Sequence, residues 1–138
     1  MIRPICRDTV LLSRKAEPAE ASDLGVVQDL RDTLLANADR CVGMAANMIG
    51  VPKAIIAVLP PGGQIPLIML NPVITAKQEA YSTEEGCLSL AGSRTIQRYQ
   101  KITLRFQSTL MKQQVMKFEG YIAQIIQHEV DHLSGILV

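Results

Sequence analysis

The residues with the clearest chemical meaning lie near the end of the chain, where residues 125–133 read IIQHEVDHL. His128 and His132 are the two histidines of the sequence, and Glu129 directly follows the first of them. In an α-helix, residues four apart lie on one face with a rise of about 6 Å, so both imidazoles can reach one metal ion at ~2.1 Å. This H-E-x-x-H spacing is typical of two metal ligands and a carboxylate that acts as general base.

The pattern has an ordinary alternative, because five-residue matches arise by chance and paired histidines on a helix are often simply hydrogen-bonded polar groups. The apolar neighbours Ile125, Ile126 and Leu133 favour the metal site, since they place the polar trio on a buried face. Burying a carboxylate without a partner costs several kcal/mol, and a cation offsets that cost. The outer side of the same helix is predicted to carry Gln124, Gln127, Asp131 and Ser134.

A third ligand is predicted upstream of this helix. The six residues after His132 include no glutamate, which a thermolysin-like site requires, and the sequence contains no third histidine. Cys87 lies in STEEGCLSL, residues 82–90. A buried cysteine is more often a small core residue, but a thiolate with two imidazoles leaves one coordination position for water, as catalytic sites do. We therefore predict one divalent metal ion, with Cys87 beside the two histidines as its third ligand.

The overall composition argues against several other classes of function. Lys and Arg number 14 against 13 Asp and Glu, and no basic cluster suggests direct nucleic-acid binding. The longest apolar runs, AIIAVL and LIML, are far shorter than the ~20 residues of a membrane-spanning helix, and MIRPICRDTVLL lacks the apolar core of a secretory signal. Three cysteines are an odd number for a disulfide framework, so we expect free thiols and a cytoplasmic location.

Two helices are predicted to flank a region of strands. The first, over 22–37, is amphipathic and has Ser22 as its predicted N-cap. The second, over 121–134, carries the histidines, with Gly120 before it and Gly135 as its stop signal.

The segments between the helices are predicted as antiparallel strands, because none of the connections is long enough for repeated helical crossovers. These strands cover 54–59, 65–70, 73–77, 96–106 and 112–118, separated by turn signals such as NP, and 82–90 is predicted as strand edge or loop. With 138 residues and no linker or repeat, we predict a single α+β domain over 1–138. In this fold, antiparallel β-sheets pack around the C-terminal helix, and one amphipathic helix lies near the N-terminus.

Three segments of the sequence resemble, in order and spacing, the signature motifs of peptide deformylases. They read GMAANMIG at 43–50, EGCLS at 85–89 and QHEVDHL at 127–133. The resemblance implies Cys87, His128 and His132 as the metal ligands, Glu129 as general base, and antiparallel sheets around the histidine-bearing helix. It also implies an ion that is typically ferrous iron, often replaced by zinc or nickel. The implied substrate is the N-formyl group on the first methionine of a new polypeptide, and the implied partners are formylated nascent chains at the ribosome.

The same resemblance implies roles for residues around the substrate. The backbone N–H at Leu88 would help the metal to stabilise negative charge on the formyl oxygen. Main-chain groups around Val42, Gly43 and Leu90 would bind the peptide. Arg94 stands where relatives often have an arginine near the substrate.

The first motif departs from the family's usual Gly-x-Gly-x-Ala-Ala-x-Gln-x-Gly. Here Cys41 stands at the first glycine and Met48 at the glutamine, in CVGMAANMIG. A thioether has no hydrogen to donate, and losing one preorganised donor to the substrate oxygen typically costs ~10²–10³ in kcat. Asn47 is not expected to substitute, because adjacent side chains leave the backbone in different directions. Three hypotheses follow: an active deformylase; a catalytically impaired, deformylase-like protein that binds metal and peptide; and an unrelated zinc peptidase.

Overall fold

The computed structural model describes residues 1–87 and 90–137, without the side chains of Leu90 and Ala91. The helices are α1 (Thr9–Leu12), α2 (Leu24–Ala36) and α3 (Tyr121–Leu133), and short 3₁₀ turns span Ala21–Asp23 and Ala46–Ile49. The strands are β1 (Gly43–Ala45), β2 (Ile55–Val58), β3 (Leu67–Cys87), β4 (Leu90–Gln107) and β5 (Gln113–Glu119).

The five strands form one antiparallel sheet in which each strand pairs with its neighbour in the chain. Helix α3 packs against β1, β2, β4 and β5, so it lies at the centre of the fold. Its Ile126 is fully buried with Ile56 of β2 and Leu34 of α2 in a common apolar core. The predicted α+β fold around a C-terminal helix is confirmed. No helix within the two described ranges is long and apolar enough to cross a membrane.

Strand β3 is longer than predicted. The runs 65–70 and 73–77, predicted as two strands with a turn at NP, belong to a single strand with a register shift after Leu70. Asn71 has a φ of 51°, in the left-handed region that asparagine tolerates. Its Oδ1 accepts from the Ala19 N–H at 2.7 Å, and its Nδ2 donates to the Ala19 carbonyl at 3.0 Å. The prediction of a turn is wrong because these bonds hold the irregularity as a bulge within the strand.

The end of β3 brings the chemistry of the mid-chain motif to α3. Residues 82–87, predicted as strand edge or loop, are paired with β4, and Cys87 lies opposite Leu90. Side chains two apart in a strand point to the same face. Glu85 and Cys87 therefore project to the same side at the end of the paired region of β3.

The boundaries of the two predicted helices lie within two residues of prediction. Ser22 lies inside the 3₁₀ turn and is not the N-cap of α2, which begins at Leu24. The prediction is wrong because the Glu20 N–H donates to Asp23 Oδ2 at 2.8 Å, which starts the helical turn earlier in the chain. Gly120 directly precedes α3 with a φ of 73°, as the sequence predicts.

Candidate metal centre and its cavity

The structure brings the three predicted ligands together. The Sγ atom of Cys87 and ring nitrogens of His128 and His132 all lie within 4.8 Å of one another. The two Nε2 atoms are 3.1 Å apart. Two nitrogens bound tetrahedrally to one ion at ~2.1 Å would be about 3.4 Å apart, so the imidazoles already have nearly the spacing that a shared cation needs.

A buried ionic group orients the first histidine. His128 Nδ1 lies 2.7 Å from Glu85 Oε1, which leaves its Nε2 directed at His132. Glu85 also accepts from Arg98, with Nη2 at 2.7 Å and Nε at 2.9 Å. Arg98 in turn donates to Asp131 through Nη1. A carboxylate behind a ligating imidazole fixes its tautomer and increases its basicity, so this group supports cation binding.

The charges of the cluster suit a cation. Burial would raise the pKa of Glu85, but hydrogen bonds from His128 and Arg98 lower it to about 2, so the carboxylate is ionised. Burial, together with the charge of neighbouring His128, lowers the pKa of His132 to about 3. Burial would also lower the pKa of His128, but its contacts with Cys87 and Glu85 raise it to about 10. The metal-free cluster therefore holds a proton on His128 that a bound cation would displace.

Glu129 is buried beside the three ligands with a free oxygen. Its Oε1 has no hydrogen-bond partner among the described residues. Burial raises its pKa to about 7, and a cation nearby would lower that pKa again. A carboxylate whose pKa is close to the working pH is suited to accept a proton from water and to return it later.

Gly43 allows β1 to approach this carboxylate closely. A Cβ atom at Gly43 would lie 2.9 Å from Glu129 Oε2 and 2.5 Å from Ile125 Cγ2. Any side chain at this position would push against α3. Glycine is therefore needed at Gly43, the second glycine position of the first motif, because of these close contacts and not because of its φ angle.

The cluster opens into a cavity of about 540 Å³ with three walls. Residues 40–43 and Met48 form one wall, residues 84–87 and Gly92 form the second, and α3 forms the third. The α3 residues are Tyr121, Gln124, Ile125, His128 and Glu129. Val42 and Gly43, predicted near the substrate, thus lie in the cavity lining.

The atypical residues of the first motif have defined places in the structure. Met48 is 1% exposed, lines the cavity, and its Sδ accepts a weak bond from the Ala45 N–H at 3.4 Å. Asn47 turns to α3 instead, where Nδ2 donates to the His132 carbonyl at 2.7 Å. The Cys41 thiol donates to the Gly43 carbonyl at 2.8 Å, and burial and the nearby Glu129 raise its pKa to about 12. Neither side chain thus takes over the role of the missing glutamine, because the Asn47 amide donates to His132 and the neutral Cys41 thiol donates to Gly43.

The remaining predicted residues are less closely placed. Leu88 lies outside the described residues. Leu90 begins β4 opposite Cys87. Arg94 is half-buried opposite Glu85 and is not among the described residues that line the cavity.

The outer side of α3 is not as predicted. Gln127 is buried, because β4 covers this face, and its side chain bonds both the N–H of Tyr99 at 2.9 Å and its carbonyl at 2.8 Å. Gln124 is half-buried in the cavity wall, and Asp131 is paired with Arg98. Of the four residues, Ser134 alone is exposed.

Sequence reasoning missed the two residues that support His128. Glu85 had a usable signal, because it lies two positions before Cys87 and therefore shares its face of the strand. Arg98 had none, since it is paired with Tyr81 in the β3–β4 ladder and only the folded hairpin lets its side chain reach Glu85.

Comparison with known proteins gives a consistent family. The family model described as Polypeptide deformylase matches residues 2–138. A peptide deformylase of Clostridium beijerinckii is 46% identical over 138 residues, which is 100% of both chains. The crystal structure of a peptide deformylase from Thermus thermophilus is 33% identical with a TM-score of 0.88, covering 99% of this chain and 84% of that one.

A further solved structure comes from Acinetobacter baumannii. It is a class I type b peptide deformylase bound to Met-Ala-Ser, 28% identical with a TM-score of 0.88, and covers 99% of this chain and 97% of that one. These relatives give no support to the hypotheses of an impaired binding protein or an unrelated zinc peptidase.

Proposed function

We propose that this chain, which belongs to the polypeptide deformylase family, removes the N-formyl group from the N-terminal formyl-methionine of nascent polypeptides and releases formate. The chain is a hydrolase of a metal-dependent family. The observation that carries the proposal is the convergence of Cys87, His128 and His132 next to a buried, unpartnered oxygen of Glu129, in one open cavity.

Cys87, His128 and His132 fit a single divalent cation. A thiolate and two imidazoles suit Fe(II), Zn(II) and Ni(II), and three protein ligands leave one position open. We propose ferrous iron in the cell, and zinc or nickel in some purified samples. When bound, the ion lowers the pKa of water at the open position and polarises the formyl carbonyl.

Glu129 moves the proton in the proposed reaction. Its free Oε1 accepts a proton from the attacking water, whose oxygen forms a bond to the formyl carbon. The same carboxyl group then donates the proton to the methionine nitrogen as the C–N bond breaks, giving formate and a free amine. Glu85, held by Arg98, keeps the His128 ring fixed throughout.

The walls of the cavity would bind the peptide and stabilise charge on the formyl oxygen. We propose that the backbone N–H of Leu88 donates to this oxygen and that Met48 adds no donor. Main-chain groups of Val42, Gly43 and Leu90 would hold the peptide, with Arg94 nearby. The close approach of Gly43 to Ile125 and Glu129 leaves little width, which favours formyl over larger acyl groups.

We further propose that residues 1–138 act as one catalytic domain in the cytoplasm. Its partners would be formylated N-termini as they emerge from the ribosome. A net charge of +1 supports a role without direct nucleic-acid binding.

Formate release under anaerobic conditions tests the proposal, since ferrous iron next to a thiolate is easily oxidised. The substrate is formyl-Met-Ala, the matched control is acetyl-Met-Ala, and the metal content of the same sample is measured. We expect formate from the first peptide, negligible hydrolysis of the second, and about one ion per chain. Metal-loaded protein that releases no formate would contradict the proposal, and cleavage of internal peptide bonds would indicate a peptidase.

A further inference from the structure

Gln124 connects the cavity wall to the support of a metal ligand. It lies on α3 four residues before His128, and its half-buried side chain lines the cavity beside Ile125. Its Nε2 donates to Glu85 Oε2 at 3.0 Å. Glu85 Oε1 is the atom that contacts His128 Nδ1 at 2.7 Å. One carboxylate therefore joins Gln124 to the ligand.

The four contacts of Glu85 occupy both of its oxygens. Oε1 accepts from Arg98 Nη2 and contacts His128, while Oε2 accepts from Arg98 Nε and from Gln124. Arg98 alone would bind both oxygens as a fork, which restrains rotation of the carboxylate within the plane of the fork but still allows it to tilt out of that plane. The bond from Gln124 to Oε2 comes from α3, a different element from the strand that carries Arg98, and we expect it to restrain this tilt and so to fix the direction of Oε1 towards His128.

Tyr81 in turn orients the Gln124 amide. Its hydroxyl donates to Gln124 Oε1 at 3.3 Å, so that the NH₂ group is directed at Glu85. Tyr81 lies on β3 four residues before Glu85 and hence on the same face of the strand. Tyr81 is not among the described residues that line the cavity, so it contacts Gln124 outside the cavity.

We propose that Gln124, oriented by Tyr81, is a positioning residue that holds Glu85 against His128 and thereby strengthens the hold of the cluster on its cation. The effect on metal affinity stands independently, whereas the consequence for turnover rests on the proposed deformylase function. Partners of this kind behind a metal ligand typically contribute 10–100-fold to affinity, and an amide one bond further out should contribute at the lower end of that range.

Zinc affinity, measured by competition of Zn²⁺ with a chromophoric chelator, provides the test. Gln124→Met keeps the length and helix preference of the side chain but removes the donor, and we expect about ten-fold weaker binding. Tyr81→Phe should weaken binding about three-fold. Tyr99→Phe, on the neighbouring strand of the same hairpin, is the matched control and should bind as the unmodified protein does.

The double variant decides whether the two side chains act as a unit. Because Tyr81 acts through Gln124, adding Tyr81→Phe to Gln124→Met should cause no further loss. Additive losses, or Zn²⁺ affinity in Gln124→Met within two-fold of the unmodified protein, would overturn the proposal. If Gln124→Met does not fold by circular dichroism, Tyr81→Phe against Tyr99→Phe decides the outcome, since each removes only a hydroxyl.

The kinetic constants kcat and KM give a second measurement, which would not change if Tyr81 only filled space. Since Tyr81 does not line the cavity, Tyr81→Phe should lower kcat about three-fold and leave KM for formyl-Met-Ala unchanged. An increase in KM with unchanged kcat would overturn the assigned role. The Zn²⁺ measurements require no turnover. If the protein released no formate but the variants still showed the coupled loss of Zn²⁺ affinity, the proposed function would be refuted and this inference would stand.

Discussion

Two walls of the cavity differ in the polar groups that they present. On the first, the α3 wall with the adjoining end of β3, His128, Glu85 and Arg98 form a continuous set of hydrogen bonds. On the wall formed by the first motif, Met48 presents a thioether, and the neighbouring Asn47 is turned away to the backbone of α3.

The difference separates two tasks that a metal-dependent hydrolase must perform. In the proposed reaction, the α3 wall would hold the cation and supply the base. The first-motif wall would face the substrate oxygen, where charge develops and where preorganised donors lower the barrier. The chain therefore has a complete candidate set of metal ligands and a base, but it lacks a side-chain hydrogen-bond donor at Met48. Variants on the two walls should change turnover in opposite directions.

The largest effect is expected on the α3 wall, from Glu129→Gln. The amide cannot accept the proton of the attacking water, so kcat for formyl-Met-Ala should fall by about 10³-fold. Metal content should stay the same, because the three ligands are unchanged. A variant that retains more than a tenth of the activity would show that another group serves as the base.

Removing a ligand tests the same wall by metal content. Cys87→Ser should weaken Zn²⁺ binding by more than about 100-fold, since even outer partners of ligands contribute 10–100-fold. Cys41→Ser is the matched control, because this thiol shares the cavity but bonds the Gly43 carbonyl. Equal losses in the two serine variants would mean that the ligand set is misassigned.

The metal-free protein should show the cost of burying Glu129. The pKa of this group is about 7 in the fold and 4.5 when unfolded, so the native state binds more protons between these values and loses stability as pH rises through that window. Glu129→Gln removes this loss. In chelator-treated protein, we expect the free energy of unfolding of the variant, relative to that of the unmodified protein, to rise by up to about 3 kcal/mol between pH 4 and pH 8.

Thermal melts at several pH values give this measurement, with His128 and His132 present in both proteins so that their titration largely cancels. A difference between the two proteins that does not change with pH would mean that Glu129 is not held in its neutral form.

The smallest effect, and the only gain in activity, is expected on the first-motif wall. Met48→Gln restores an amide where the family usually has one, and turnover of formyl-Met-Ala should rise about ten-fold or more without a change in metal content. Met48→Leu, which adds no donor, should show no gain. Identical rates for Met48→Gln and the unmodified protein would remove the distinction between the two walls.

Much of the site follows from local sequence. The i, i+4 histidines with Glu129 between them define one helical face, and an apolar surround predicts that this face is buried. Cys87 as third ligand is suggested by the need of the H-E-x-x-H helix for one more ligand and is implied by the family resemblance of EGCLS at 85–89. These features are readable because each depends on spacing along one element or on the small number of candidate residues.

The sequence alone determined the metal-ligand types, the helix that carries two of them, and the departure at Met48, since all are matters of residue identity and short-range periodicity. Tertiary structure decided which polar groups support them. Gln127 is not on the predicted outer face because β4 packs over it, whereas Gln124 bonds Glu85 of β3. Arg98 reaches Glu85 only because the β3–β4 hairpin brings the two side chains together. Periodicity shows which way a side chain points from its own backbone, but the element it meets there is set by contacts between distant parts of the chain.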